Sequence, residues 1–237
     1  MKINPWITGT FGLALALSGC AEHRPGTSSL GTACGAAPLH LSADWRALNE
    51  LMESPGACAP MEGNECAALR SKIERLSVDC PNNPDVLMAN ALLAFGDRNF
   101  IRAQQLIDEM LGLGYSFPEA VVLRARIALV QGNVRFTLRF LEERIKEMGA
   151  DSSIRETYAS ALFVARRWDE AETQLDIAAR LGAPEWRLAY GRGLIEEAEG
   201  NFVAAKALYQ QALRSKPNWL LAQERLKALQ ATGKVPE

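Results

Sequence analysis

Histidine is almost missing from this sequence, with two among 237 residues, so little imidazole is available for metal binding or general-base chemistry. An excess of positive charge is missing as well. Twenty-six Lys and Arg stand against 28 Asp and Glu, a formal net charge of −2, and no basic run supplies the electrostatic footprint of a nucleic-acid binder. Aromatic residues amount to only 7%. The apolar stretch Ile7 to Leu17 falls well short of the ~20 residues needed to span a bilayer as a helix. What is present is ordinary for a folded protein: 23% charged residues, 18 Gly and 48% apolar content argue against a disordered or collagenous chain. Ala, Leu, Arg and Glu crowd the second half. This balance predicts a helical protein without a catalytic centre, with no cofactor, no metal and no small-molecule substrate.

The N-terminus reads as an address. Lys2 supplies a short positive region, and the Ile7 to Leu17 stretch has the length of a signal-peptide core. Leu17-Ser18-Gly19-Cys20 then resembles the lipobox of bacterial lipoproteins. Small residues at Ser18 and Gly19 give a peptidase access to the backbone, and Cys20 offers a thiol for lipidation and, after cleavage, an amine for further acylation. The resemblance implies that residues 1–19 are a signal peptide and that Cys20 anchors the mature chain. Ala21 follows the anchor, where an Asp would imply retention in the inner membrane. The expected location is therefore the periplasmic face of the outer membrane, with residues 20–40, rich in Gly, Ala, Ser, Thr and Pro, as a tether.

Four further cysteines, Cys34, Cys58, Cys66 and Cys80, lie within 47 residues. An even number in an oxidising compartment predicts disulfides. A helix over 64–78 would hold Cys66 and Cys80 about 20 Å apart at 1.5 Å per residue, beyond the ~4.4–6.8 Å that a disulfide spans. Two pairings remain: 34–80 with 58–66, preferred because 58–66 closes a local loop, and 34–66 with 58–80. The spacing matches neither a zinc ribbon nor a C-x-x-C redox motif.

The rest of the chain repeats itself every 34 residues. Ala91, Ala125, Ala159 and Gly193 form one column, and Ala103, Thr137, Ala171 and Ala205 another. Phe100, Val134, Trp168 and Phe202 form a third, and Ile107, Leu141, Leu175 and Tyr209 a fourth. Such a period belongs to helix-turn-helix solenoids. In these columns the chain resembles the tetratricopeptide repeat family. The small side chains match those that let the family's paired helices approach closely, with Thr137 a departure. Pro217 matches the turn-ending proline, whereas the usual first-helix tryptophan is replaced by Leu87, Val121, Arg155 and Ala189.

The expected fold is all-α: a right-handed superhelical solenoid of about four repeats, 84–117, 118–151, 152–185 and 186–217. A disulfide-pinned helical cap over 41–83, with helices at 42–53 and 64–78, precedes it. A capping helix and tail over 218–237 follow.

The family resemblance implies that the first helix of each pair lines a concave groove. The matching residues are Met88, Leu92 and Phe95, then Val122, Arg126 and Leu129, then Glu156, Ser160 and Phe163, and finally Tyr190, Leu194 and Glu197. The expected ligand is a peptide or helix of another envelope protein, held by an apolar strip with a few polar contacts. The resemblance to tetratricopeptide lipoproteins implies a scaffold aiding assembly or stability of a pilus or secretion machine. An adaptor that regulates a cell-wall synthase or hydrolase is the alternative. Acidic pairs Glu142-Glu143 and Glu196-Glu197 are expected on solvated helix faces, and Gly191-Arg192-Gly193 inside a helix.

Overall fold

The computed structural model describes residues 64–233, with side chains from residue 67 onward. Among these residues there are ten helices and no strand. Helix α1 (Asn64–Asp79) precedes four pairs. These are α2 (Pro84–Gly96) with α3 (Phe100–Gly112), and α4 (Pro118–Val130) with α5 (Val134–Met148). Next come α6 (Ser152–Val164) with α7 (Trp168–Arg180), and α8 (Glu185–Glu199) with α9 (Phe202–Ser215). Helix α10 (Leu220–Ala231) closes the array. The expected helix at 42–53, Cys20, Cys34 and Cys58, and the Cys66 side chain lie outside the described residues. Cys80 is buried and disulfide-bonded, and the expected pairings also fall outside them. No described helix is long and apolar enough to cross a membrane.

The turns inside the pairs repeat as faithfully as the columns do. Arg98, Gly132, Arg166 and Gly200, each 34 residues from the next, all have left-handed backbone with φ of 59°, 78°, 62° and 89°. The following amide in each turn reaches back to a carbonyl five residues earlier: Asn99 to Ala94, Asn133 to Ala128, Arg167 to Leu162 and Asn201 to Glu196, at 2.8–2.9 Å. This bond is the signature of a Schellman closure, which satisfies the last carbonyls of the first helix and reverses the chain. Glycine takes the conformation without a Cβ penalty; the two arginines adopt it at a cost of about 1–2 kcal/mol each. Starts are marked by side-chain caps. Asn83 accepts from the amides of Asp85 and Val86, and Asp151 from those of Ser153 and Ile154.

The two helices of a pair differ in how they are buried. Helices α3 and α7 bury one stripe, Ala103-Leu106-Ile107-Met110 and Ala171-Leu175-Ala178. The first helices α2 and α4 are buried nearly all round, as expected of apolar helices enclosed by neighbours. Each contacts its own partner, and α2, α4, α6 and α8 also touch in succession to form an inner layer. Arg124, 9% exposed, joins three helices: its Nε lies 2.7 Å from Asp108 Oδ1 on α3, and its guanidinium sits over Phe136 on α5.

Helix α1 shields one end. Leu69 and Ile73 enter the same interior as Met88 and Leu92. Arg70 donates two bonds to Asp97, at 2.8 and 2.9 Å, and Asn90 donates to Ser77. At the other end, α8 is wedged tightly between α7 and α9. A Cβ added to Gly191 would lie 3.1 Å from Leu175 Cδ1, and one added to Gly193 only 2.6 Å from Tyr209 Cε1. The Gly191-Arg192-Gly193 sequence is thus a packing device: two close approaches flank Arg192, which pairs with Glu172 and Asp176 on α7.

Candidate functional site: an aromatic-ended cavity on the inner layer

A cavity of about 340 Å³ opens along the inner layer, within the size range of small-ligand and side-chain pockets. Phe95 from α2, Arg126, Leu129 and Val130 from α4, and Glu156, Thr157 and Ser160 from α6 form one part of its lining. Helix α8 contributes Trp186, Arg187, Tyr190, Gly191 and Leu194, α7 contributes Leu175, and Trp219 and Leu221 close the far end. Seven expected groove residues are therefore brought together: Phe95, Arg126, Leu129, Glu156, Ser160, Tyr190 and Leu194.

Other expected groove residues lie elsewhere. Met88 and Leu92, at 1% and 0% exposure, belong to the interior shared with α1. Val122, at 3%, sits in the next interior with Ile154 and Tyr158. Phe163 is half-buried against that same interior and does not line the cavity. The cause is geometric: an inner-layer helix presents only its narrow concave stripe, and neighbouring pairs, or α1, cover the flanks. The residues that column matching missed are Val130, Thr157, Leu175, Trp186, Arg187, Gly191, Trp219 and Leu221. Trp186 and Trp219 carried a signal, being large aromatics at both ends of the last repeat.

The cavity has one polar crossing and one aromatic end. Arg187 Nε lies 2.9 Å from Glu156 Oε2, tying α8 to α6, with the carboxylate side chain 15% exposed. At the end, Trp219 stands edge-on to Trp186 at 4.5 Å between ring centroids, and Tyr190 is tilted against Trp219 at 4.6 Å. Offset and edge-to-face arrangements of this kind are favoured by the ring quadrupoles. Lys216 Nζ is 4.1 Å from the Trp186 centroid and the Arg187 guanidinium 5.4 Å. Trp219 is 7% exposed, and its indole Nε1 makes no hydrogen bond among the described residues. A buried donor left unpaired costs about 1–3 kcal/mol.

Two tyrosines brace the layers behind the cavity. Tyr209 donates from its hydroxyl to Glu197 at 2.7 Å, and Tyr158 to Glu142 at 2.8 Å. One member of each acidic pair expected on a solvated face is therefore an acceptor for a buried phenol. Burial first, then the neighbouring carboxylate, pushes the Tyr158 hydroxyl up to about 12 and raises that of Tyr209 too. Burial likewise raises Tyr190. All three remain protonated donors at neutral pH.

Residues 159–218 match the tetratricopeptide repeat family model. The whole array is similar in fold to a tetratricopeptide repeat protein from Parabacteroides merdae, at 21% identity and a TM-score of 0.62, covering 85% of this chain and 78% of that one. It is also similar to YrrB, a tetratricopeptide repeat protein with an unusual peptide-binding site, at 14% identity and a TM-score of 0.48, covering 77% of this chain and 96% of that one. No curated protein matches the chain. The fold is that of a tetratricopeptide solenoid, and its matched segment holds the inner-layer residues Ser160, Trp186 and Tyr190.

Proposed function

We propose that this chain is a lipid-anchored scaffold on the periplasmic face of the outer membrane, which binds a segment of another envelope protein on the concave side of its solenoid. In that role it assists assembly or stability of a complex such as a pilus or secretion machine. The observation that carries the binding role is the cavity itself: a mainly apolar recess on the inner layer, crossed by the Glu156–Arg187 pair. Such a surface suits a partner side chain or helix face with a few orienting polar contacts. The Leu17-Ser18-Gly19-Cys20 sequence supports the anchor. Two or more acyl chains at one site give a lasting attachment, since each buried CH₂ contributes ~0.8 kcal/mol.

The anchor and the groove are tested separately. Cys20→Ala is expected to move the protein from the membrane to the soluble fraction; continued membrane retention overturns the anchor. For the groove, crosslinking in intact cells followed by affinity capture and mass spectrometry compares wild type with a Leu129→Glu, Tyr190→Glu variant. Both residues line the cavity, and circular dichroism checks that the variant keeps its helices. One envelope protein lost specifically from the variant is the expected result. Unchanged capture would move binding to another face.

A further inference from the structure

We infer that the edge of the solenoid carrying its first two intra-pair turns rests on an anionic phospholipid surface, with Arg98, Arg102 and Arg135 at the headgroups and Ile101 reaching among them. The contact orients a chain that is already tethered, and to that extent rests on the proposed anchor.

Three cations share this edge without a partner. Arg98 lies in the turn between α2 and α3, Arg102 in the first turn of α3 and Arg135 in the first turn of α5. Each is exposed, and none of the three guanidinium groups makes an ion pair or a hydrogen bond among the described residues. The neighbouring carboxylate of Asp97 is taken up by Arg70, and Arg139 and Glu143, further along α5, offset one another in charge. Asp169 and Glu199 stand beside the third and fourth turns, so the positive stretch is confined to the first two. The whole chain carries −2, so this local excess does not follow from composition.

The arginines also stand where they cost stability. Arg98 holds a left-handed backbone, with φ of 59°, that Gly132 and Gly200 adopt without a Cβ penalty. Arg102 and Arg135 occupy the positive ends of helix dipoles, and neither α3 nor α5 has an acidic residue in its first turn. No partner among the described residues offsets these costs; a layer of external phosphates does.

Apolar side chains alternate with the cations. Ile101, Val130 and Phe136 are 70%, 55% and 39% exposed within four residues of the same two turns, and Val164 and Val203 continue the row at the next two. Single apolar side chains spaced among arginines suit a lipid surface, which needs no matching shape. A folded protein partner would need a packed apolar centre instead.

The test uses the full-length chain carrying Cys20→Ala, so that no acyl group contributes. Co-sedimentation compares vesicles of phosphatidylcholine alone with vesicles in which a third of the lipid is phosphatidylglycerol. Each arginine close to an anionic surface strengthens binding about fivefold, so the anionic vesicles should be bound at least about tenfold more tightly. That preference should fade as salt shortens the Debye length from about 10 Å at 0.1 M to about 3 Å at 1 M. Arg98→Asn, Arg102→Gln and Arg135→Gln together should remove at least about tenfold of the binding; asparagine is chosen because it tolerates the left-handed backbone. A control with the same change in net charge combines Arg75→Gln, Arg180→Gln and Arg214→Gln, exposed arginines towards the far ends of α1, α7 and α9. It should bind within about twofold of the parent, because screening isolates distant charges.

Equal binding to the two vesicle types, full binding by the edge variant, or an equal loss in the control overturns the inference. Circular dichroism checks that both variants keep their helices. Three salt-sensitive cations do not hold the chain through membrane fractionation, so failure of the anchor in cells and failure of the edge on vesicles are read separately.

Discussion

Gly193→Ala will lower the stability of this protein by about 1–2 kcal/mol, although alanine is the better helix former. An exchange of glycine for alanine within a helix ordinarily gains about 0.5–1 kcal/mol. Here the new Cβ would stand 2.6 and 2.8 Å from two ring atoms of Tyr209. That ring cannot swing aside cheaply, because it is fully buried and its hydroxyl is held by Glu197. Overpacking of this kind costs about 1–3 kcal/mol, so the clash outweighs the propensity.

The other repeats show how the conflict resolves. Where the first column holds Ala125 and Ala159, the fourth holds Leu141 and Leu175, and only where it holds Gly193 does the fourth hold Tyr209. Gly193→Ala combined with Tyr209→Leu should therefore be more stable than the sum of the two single changes predicts, by at least about 1 kcal/mol. Urea denaturation of the four proteins measures the coupling. Strict additivity would show that the ring and the glycine do not depend on one another.

Leu141→Ala is expected to have the larger effect, about 2–5 kcal/mol. Helix α5 spans fifteen residues but buries only Thr137 and Leu141 completely. Leu141 joins the interior built from Val121, Ala125, Ile154 and Tyr158, so it connects α5 to both α4 and α6. A solenoid holds together only through contacts between successive repeats. A cavity at this joint should loosen the C-terminal repeats from the α1–α4 interior. Circular dichroism during thermal unfolding should then show a broadened or two-step transition in place of a single one. A loss below about 1 kcal/mol with one sharp transition would place the joint elsewhere.

The repeat pattern made much of the architecture legible beforehand. A 34-residue period states how many helix pairs there are, and the glycines and small columns state where they turn and touch. It could not announce that Arg98 and Arg166 take the same left-handed conformation as Gly132 and Gly200, since neither arginine resembles a turn residue. The expected helix over 64–78 is found as Asn64–Asp79, and the capping helix expected within 218–237 as Leu220–Ala231. The first follows from Leu69, Ile73 and Leu76 on one face, a signal local to its segment, and the second from a composition rich in Gln, Glu, Arg and Lys that suits a cap with a wet outer face.

The groove was less legible, because a column fixes a position along a helix but not what lies against it. Met88 and Glu156 occupy equivalent columns. Met88 is sealed under α1, while Glu156 lines the cavity and pairs with Arg187. Likewise Trp219 follows the last repeat in sequence and lies outside every groove column, yet it closes the end of the cavity.

The sequence by itself determined the helical period, the turns and the close-packed columns, since these arise from interactions within about one repeat. The tertiary structure alone decided which inner-layer residues stay open, how Glu142 and Glu197 come to serve buried phenols, and where a donor is left unpaired. Those outcomes depend on side chains from successive repeats and flanking helices meeting in space, where burial leaves each polar group to be satisfied by whatever packs against it.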